Sequence, residues 1–288
     1  MAKTGEVIGA SEALGAELAE KYQRLRERVR ALGSVLVAYS GGVDSALLLK
    51  VATDELGERA VGALASSEAY DEEETRQAVE VARTIGARLV QVETHELEDP
   101  RYAANTAERC YFCKTELFDH LEPLARDLGL EHIAYGMNRD DHGDWRPGQR
   151  AARERQVAAP LDEAGMSKED IRALARHLGV PVWDKPALAC YSSRIPYGTT
   201  VTVEELRRIG KAERALRKLG FRQVRVRSHD KIARIEVGSD EFARMLDAGT
   251  RGEIVAAVRE AGYLYVTLDL AGYRAGSFNE ALLRRRAE

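Results

Sequence analysis

The stretch Ser34-Val-Leu-Val-Ala-Tyr39, followed by Ser40-Gly41-Gly42-Val43-Asp44-Ser45 and Ala46-Leu-Leu-Leu-Lys50, decides the fold. Residues 34–39 form a short, nearly continuous apolar run that reads as a strand buried on both faces, and a helical pattern begins at Ala46. The glycines therefore sit at a strand-to-helix turn. Such a turn gathers backbone N–H groups, the positive end of a helix dipole and two serine hydroxyls around one concave space, a setting suited to phosphate. The loop lacks the Gly-Lys-Ser/Thr ending of a Walker A motif and the Gly-x-Gly-x-x-Gly spacing of a dinucleotide fold. The plainer alternative is a glycine turn with Asp44 or Ser45 as an ordinary helix cap.

Outward from this turn, strand and helix signals alternate. Residues 10–31 read as an amphipathic helix and the helix after the loop runs to Leu56. Residues 60–65 make a second strand ending in Ser66 and Ser67, 71–85 a helix with acidic residues in its first turn, and 88–92 a third strand. Residues 94–107 are polar and irregular, 108–128 are helical, and 132–135 form a fourth strand. The alternation predicts an α/β fold with a doubly wound, mostly parallel sheet, whose ligands bind outside the carboxyl ends of the strands. Gly136-Met-Asn-Arg-Asp-Asp-His-Gly-Asp-Trp145 should then lie beside Ser40 to Ser45, with Asp140, Asp141 and Asp144 as acceptors for ribose hydroxyls or holders of Mg²⁺ through water. A solvated turn is the competing reading for each of them.

From Thr202 the pattern changes. A helix over 203–219, alternating strands over 221–227 and 231–237 joined by Ser228-His229-Asp230, a helix over 240–261 and a strand over 263–268 predict a small α+β domain of helices and antiparallel strands. The division expected is 1–198 and 199–288.

With 43 Lys and Arg against 47 Asp and Glu in 288 residues, the net charge of -4 gives no reason to expect a nucleic-acid partner. The first twenty residues carry four glutamates and no long apolar run, so neither a signal peptide nor a membrane anchor is expected, and a cytoplasmic location is. Three cysteines are too few for a disulfide framework. Cys110-Tyr-Phe-Cys113 has half of a metal-site spacing, and Cys190 lies in the irregular run 185–194. Arg109 and Lys114 should lower the thiol pKa values and favour the thiolate. Zinc would need a fourth ligand such as His120 or His142, whereas a cubane cluster held by three thiolates leaves one iron open. A redox pair or three unrelated thiols would also fit. Arg225 and Arg227, two apart on a strand, share one face and could grip a phosphate, or stand on a polar outer face. Arg194 is either a phosphate ligand or a surface arginine, and Trp145 and Trp183 read as packing residues.

Ser-Gly-Gly-x-Asp-Ser resembles the pyrophosphate loop of the ATP pyrophosphatases, which cleave ATP between the α- and β-phosphates. Together with Arg109-Cys-Tyr-Phe-Cys-Lys114, Gly136 to Gly148 and Ala189-Cys-Tyr-Ser-Ser-Arg-Ile-Pro-Tyr-Gly198, in that order, the chain closely resembles the LarE family. The resemblance runs from about residue 20 to about residue 280. It implies an ATP-dependent sulfur transferase that converts pyridinium-3,5-biscarboxylic acid mononucleotide to thiocarboxylated forms, during synthesis of the nickel-pincer cofactor. In one version of the family chemistry a lone cysteine, matching Cys190, gives up its sulfur and becomes dehydroalanine. In the other, three cysteines, matching Cys110, Cys113 and Cys190, hold a 4Fe-4S cluster that relays sulfide, the version this chain matches.

The resemblance further implies Cys190, Asp44 and Glu213 as candidate catalytic residues. Ser40, Gly41, Gly42, Val43, Asp44, Ser45, Ser66, Gly136, Asn138, Asp141, Arg194, Arg225 and Arg227 are candidates for ATP, Mg²⁺ and substrate binding. It also implies a small-molecule nucleotide substrate and a homo-oligomer, a hexamer. The rivals are a tRNA thiolase, which should show a basic face, an amidating synthetase, which needs no gathered cysteines, and a non-catalytic nucleotide-sensing or iron–sulfur module.

Overall fold

The computed structural model describes residues 14–143, 147–186 and 189–274. Residues 10–13 of the expected first helix, and Asp144 and Trp145, lie outside them. The first half builds a sheet from β1 (Val35–Tyr39), β2 (Ala60–Ser66), β3 (Arg88–Glu93) and β4 (His132–Tyr135), in the order β3-β2-β1-β4 and all parallel. The chain leaves β1 to one side for β2 and β3 and returns to its other side for β4, so the switch in strand order falls between β1 and β4. Their carboxyl ends open on the crevice where doubly wound sheets place ligands. A single-residue parallel bridge between Ala134 and Ala158 covers the outer edge of β4. The expected fold class is the observed one.

Helices cover both faces. α1 (Ala16–Ala31) and α2 (Val43–Leu56) pack on one side, and α2 is apolar nearly all round because it lies between the sheet and α1. Leu47, Leu48 and Leu49 are all fully buried there, each contributing roughly 1.5–3 kcal/mol of burial. α3 (Glu72–Thr84) begins at Asp71, whose carboxylate accepts the Glu73 N–H at 2.9 Å. The segment expected to be irregular contains a short helix, α4 (Pro100–Ala103), because Asp99 caps it and Pro100 starts it. α5 (Arg109–Asp127) packs on the other face.

α6 (Pro147–Glu154), α7 (Pro160–Glu163) and α8 (Lys168–His177) occupy a region to which the sequence reading assigned no element. A signal was present for α8: Ser167 and Asp170 form a reciprocal capping box ahead of buried Ile171, Leu174 and Ala175.

After α9 (Val203–Lys218), β5 (Val224–His229) and β6 (Ile232–Val237) form an antiparallel hairpin. Asp230 takes positive φ at its turn. α10 (Phe242–Leu246) and α11 (Ala248–Glu260) replace the single helix expected over 240–261, because Asp247 leaves the helical conformation to cap α11. β7 (Tyr265–Leu268) then pairs with β6 in parallel, so the all-antiparallel expectation is corrected. The helical crossover between β6 and β7 returns the chain to the starting end of the sheet, which only a parallel strand accommodates. Among the described residues no helix is long and apolar enough to cross a membrane.

Candidate functional site

The Ser40 to Ser45 loop is folded on itself by its hydroxyls. Ser45 Oγ accepts the Ser40 N–H at 3.1 Å and donates to the Gly42 carbonyl at 3.1 Å, and the two serine oxygens lie 3.1 Å apart. Gly41 has φ +72°, and a Cβ there would stand 2.6 Å from Cβ of Ala78 on α3. Gly42 caps α2 without a side chain, leaving the helix N-terminus open, while Val43 turns into the core. An open helix N-terminus of this kind suits an anion.

Gly136, at the end of β4, lets that strand press against the loop: a Cβ would lie 2.9 Å from Ser45 N. Asn138 Nδ2 donates to Asp44 Oδ1 at 3.4 Å, and its N–H donates to Asp141 Oδ2 at 3.2 Å. Asn138 Oδ1 accepts the Asp140 N–H at 3.0 Å, the signature of an Asx turn, so the segment is a turn that lies beside the loop. Lys168, which the sequence reading missed, sends Nζ to Asp44 Oδ2 at 2.5 Å and its N–H to Asp140 Oδ2 at 2.8 Å. No local motif marks it. Of the expected set only Ser40, Cys190 and Arg194 line the cleft; the Ser66 carbonyl, at the end of β2, accepts the Thr94 N–H at 3.0 Å.

The cleft runs from the carboxyl ends of β1 and β2 to the second cysteine segment. Tyr39, Ser40, Asp71, Cys190, Tyr191 and Arg217 are among the residues lining it. Tyr191 N–H donates to the Ala69 carbonyl at 2.8 Å, and its hydroxyl donates to the buried Asp71 carboxylate.

The two cysteine segments are stitched together. Arg109, buried, donates to Asn105 Oδ1 and to the Ser192 carbonyl at 2.9 Å. Asn105 Nδ2 reaches the carbonyls of Pro196 and Thr199 at 2.9 and 3.0 Å, and Tyr102 OH meets Ser192 Oγ at 2.6 Å. The expectation that Arg109 and Lys114 lower the thiol pKa values is corrected for two cysteines. The protein around Cys110 pushes its thiol up, with Arg109 opposing and Cys190 adding to the rise. Burial drives the Cys113 thiol far above its ordinary range, and the carboxylate of Glu96 adds to this.

Among the described residues, no three His, Cys, Asp or Glu side chains are gathered in metal-holding geometry. His142 is instead paired with Asp162 at 2.7 Å and His120 with Glu116 at 3.3 Å. One observation does fit a cation at the cysteines. Glu96, 2 % exposed, accepts from Ser67 Oγ at 2.7 Å through one oxygen, and the other has no hydrogen-bond partner. An unpaired buried carboxylate is costly unless a cation meets it, and three thiols with this neighbour suit iron or zinc.

Arg194, Arg225 and Arg227 are 1 %, 5 % and 6 % exposed, so neither the surface reading of Arg194 nor the outer-face reading of the pair holds. Glu213 lies at the centre. Its oxygens accept from Arg194 Nε at 2.8 Å and Nη2 at 3.1 Å, from Arg217 Nη2 at 3.1 Å and from the Val226 N–H at 3.0 Å. Burial alone would raise its pKa, yet Arg194, Arg225 and Arg217 hold it below the ordinary carboxylate range. Arg217 also reaches Asp71 Oδ2 at 3.2 Å, joining this network to the cleft. Arg227 pairs with the buried Glu236 at 2.8 Å. Arg225 donates to the Val224 carbonyl at 2.9 Å and lies over the Tyr273 ring at 5.4 Å. Burial and the neighbouring Arg194 push its pKa down to about 10, as expected of a cation in a pocket rich in cations.

No family model matches the chain. Three curated proteins are similar to it over most of its length. An uncharacterized protein of Synechocystis sp. is 46 % identical over 93 % of this chain and 100 % of its own. An uncharacterized protein of Methanocaldococcus jannaschii is 27 % identical over 83 % of this chain and 90 % of its own. Pyridinium-3,5-bisthiocarboxylic acid mononucleotide synthase of Lactiplantibacillus plantarum is 38 % identical over 93 % of this chain and 97 % of its own. With Ser40 of the glycine loop and Cys190 lining one cleft at the carboxyl ends of β1 and β2, that likeness makes this chain a member of the LarE family.

Proposed function

We propose that this protein is an ATP-dependent sulfur transferase that converts a carboxylate of pyridinium-3,5-biscarboxylic acid mononucleotide to a thiocarboxylate, for nickel-pincer cofactor synthesis. The observation that carries the reading is that Ser40 of the glycine loop and Cys190 line one cleft. A carboxylate is a poor electrophile. Its oxygen first attacks the α-phosphorus of ATP, the bond to the bridging oxygen breaks, and pyrophosphate leaves. The Ser40 to Ser45 loop and the N-terminus of α2 receive the departing pyrophosphate. Asp44 and Asp141 would hold Mg²⁺ there, and Lys168, paired with Asp44, would offer a cation to the phosphates. A sulfur nucleophile then attacks the acyl carbon and expels AMP.

Cys110, Cys113 and Cys190 would hold a 4Fe-4S cluster, which when bound supplies sulfide at the iron that three thiolates leave open. Cys190 lines the cleft directly, which also supports the second reading, donation of its own sulfur. Arg225 and Arg227 take the substrate phosphate. Residues 1–198 form the ATP domain and 199–288 the substrate domain. The hexamer implied by the family resemblance belongs to the same proposal.

The test is incubation with ATP, Mg²⁺ and the biscarboxylic mononucleotide, with and without sulfide after anaerobic iron loading. AMP, pyrophosphate and a thiocarboxylate product are expected, and no thiocarboxylate with Cys190→Ala. About four irons per chain and repeated turnover support the cluster. An iron-free protein that loses one sulfur from Cys190 supports sacrifice, and pyrophosphate release with ammonia but not sulfide would replace the proposal with an amidating synthetase.

A further inference from the structure

We propose that an anion bound at the arginines of β5 sets the position of Cys190, with Arg194 and Glu213 as positioning residues. The inference rests on the reading that Arg225 and Arg227 take a phosphate.

Arg194 Nη1 donates to the carbonyls of Ala189 and Cys190 at 2.8 and 3.0 Å and to Ser193 Oγ at 2.8 Å. The rest of its fork is spent on Glu213. Glu213 in turn accepts the N–H of Val226, the residue between the two arginines. Arg227 makes a second tie, donating from Nη1 to the Ser193 carbonyl at 2.9 Å. The peptide that carries the sulfur is therefore fastened at both ends to the strand that carries the arginines. Arg194, Glu213, Val226 and Arg227 are buried, while Cys190 and Ser193 at the end of the path are half-buried.

An anion engaging Arg227 has to share or take the guanidinium that holds Ser193. Any displacement of β5 is passed through Glu213 to Arg194 and on to the Cys190 carbonyl. Packed interiors shift between discrete arrangements rather than deforming smoothly. The position of Cys190 in the cleft it lines is thereby tied to whether the phosphate is in place.

The experiment measures iodoacetamide alkylation of Cys190, resolved by peptide mass, in full-length metal-free protein with and without inorganic phosphate. Calorimetry on the same samples reports phosphate binding. At least a threefold change in the Cys190 rate is expected on saturation. Arg194→Lys keeps the charge and loses the fork, so phosphate should still bind while the response falls below 1.5-fold. Glu213→Gln should behave alike. Arg225→Gln, which leaves the Ser40 to Ser45 loop intact, should abolish the response. A response that survives Arg225→Gln comes from the glycine loop and overturns the proposal. Phosphate binding to the unaltered protein with no change at Cys190 overturns the coupling alone, whereas absence of binding overturns the anion site and the coupling together. The unaltered protein thus decides the matter even if a variant does not fold.

Discussion

The glycine loop, through Ser40, and the arginine cluster, through Arg194 and Arg217, both reach one cleft, and they are built in opposite ways. The loop uses backbone: six consecutive residues, two glycines and a helix end without a side-chain cap. The cluster uses side chains from separate elements, and its charge is tolerated only because Glu213 and Glu236 are buried with it. A backbone site needs room and costs little to keep empty. A side-chain site has to be balanced before any ligand arrives, so its loss should be felt first as instability.

Removing Glu213 should therefore give the largest effect. Glu213→Ala leaves Arg194 and Arg217 buried without their shared carboxylate, and a loss of about 3–5 kcal/mol in unfolding free energy is expected by urea titration. A loss below about 1 kcal/mol would erase the distinction between the two sites. Gly41→Ala comes next. The positive φ and the approach to Ala78 should cost about 1–3 kcal/mol and weaken ATP binding at least tenfold by calorimetry.

Lys168→Met tests whether the loop relies on one side chain after all. About a tenfold weaker ATP affinity is expected, equal to about 1.4 kcal/mol, with the melting temperature changed little because the Asp44 pair is partly exposed. An unchanged affinity would make the loop a purely backbone site.

The smallest effect is in pH. Glu213 has a folded pKa below its unfolded value of 4.5. Its contribution is present in full above pH 4.5 and fades as pH falls, because the unfolded chain takes up the proton first. Between pH 6 and pH 4, Glu213→Gln should lose less melting temperature than the unaltered protein; equal slopes would mean that Glu213 does not anchor the cluster.

The same contrast explains what the sequence made legible. The parallel sheet and the loop follow from contiguous apolar runs and one uninterrupted motif, and Gly136 to Asp141 fall beside the loop as strand order requires. Lys168 escaped because it meets Asp44 across 124 residues with no motif of its own. A surface position stayed open for Arg194 and the β5 arginines because burial of a charge depends on partners that come from elsewhere in the chain, here Glu213 and Glu236. The Cys113 thiol went the other way because a sequence neighbour such as Lys114 was counted, while the protein packed around the sulfur was invisible. The parallel β7 was missed because strand polarity is set by the crossover, not by alternation.

Gly136 carries one more consequence. The wall it forms against Ser45 is supplied by β4, about ninety residues downstream of the loop. A nascent chain that has emerged only as far as α5 possesses the whole Ser-Gly-Gly-Val-Asp-Ser sequence and still lacks the surface that shapes it. Closure of this long-range pairing is a slow kind of folding event. Nucleotide capture would thus mark completion of the sheet, and a ligand that binds only the finished fold would favour chains that have passed that point over those that have stalled before it.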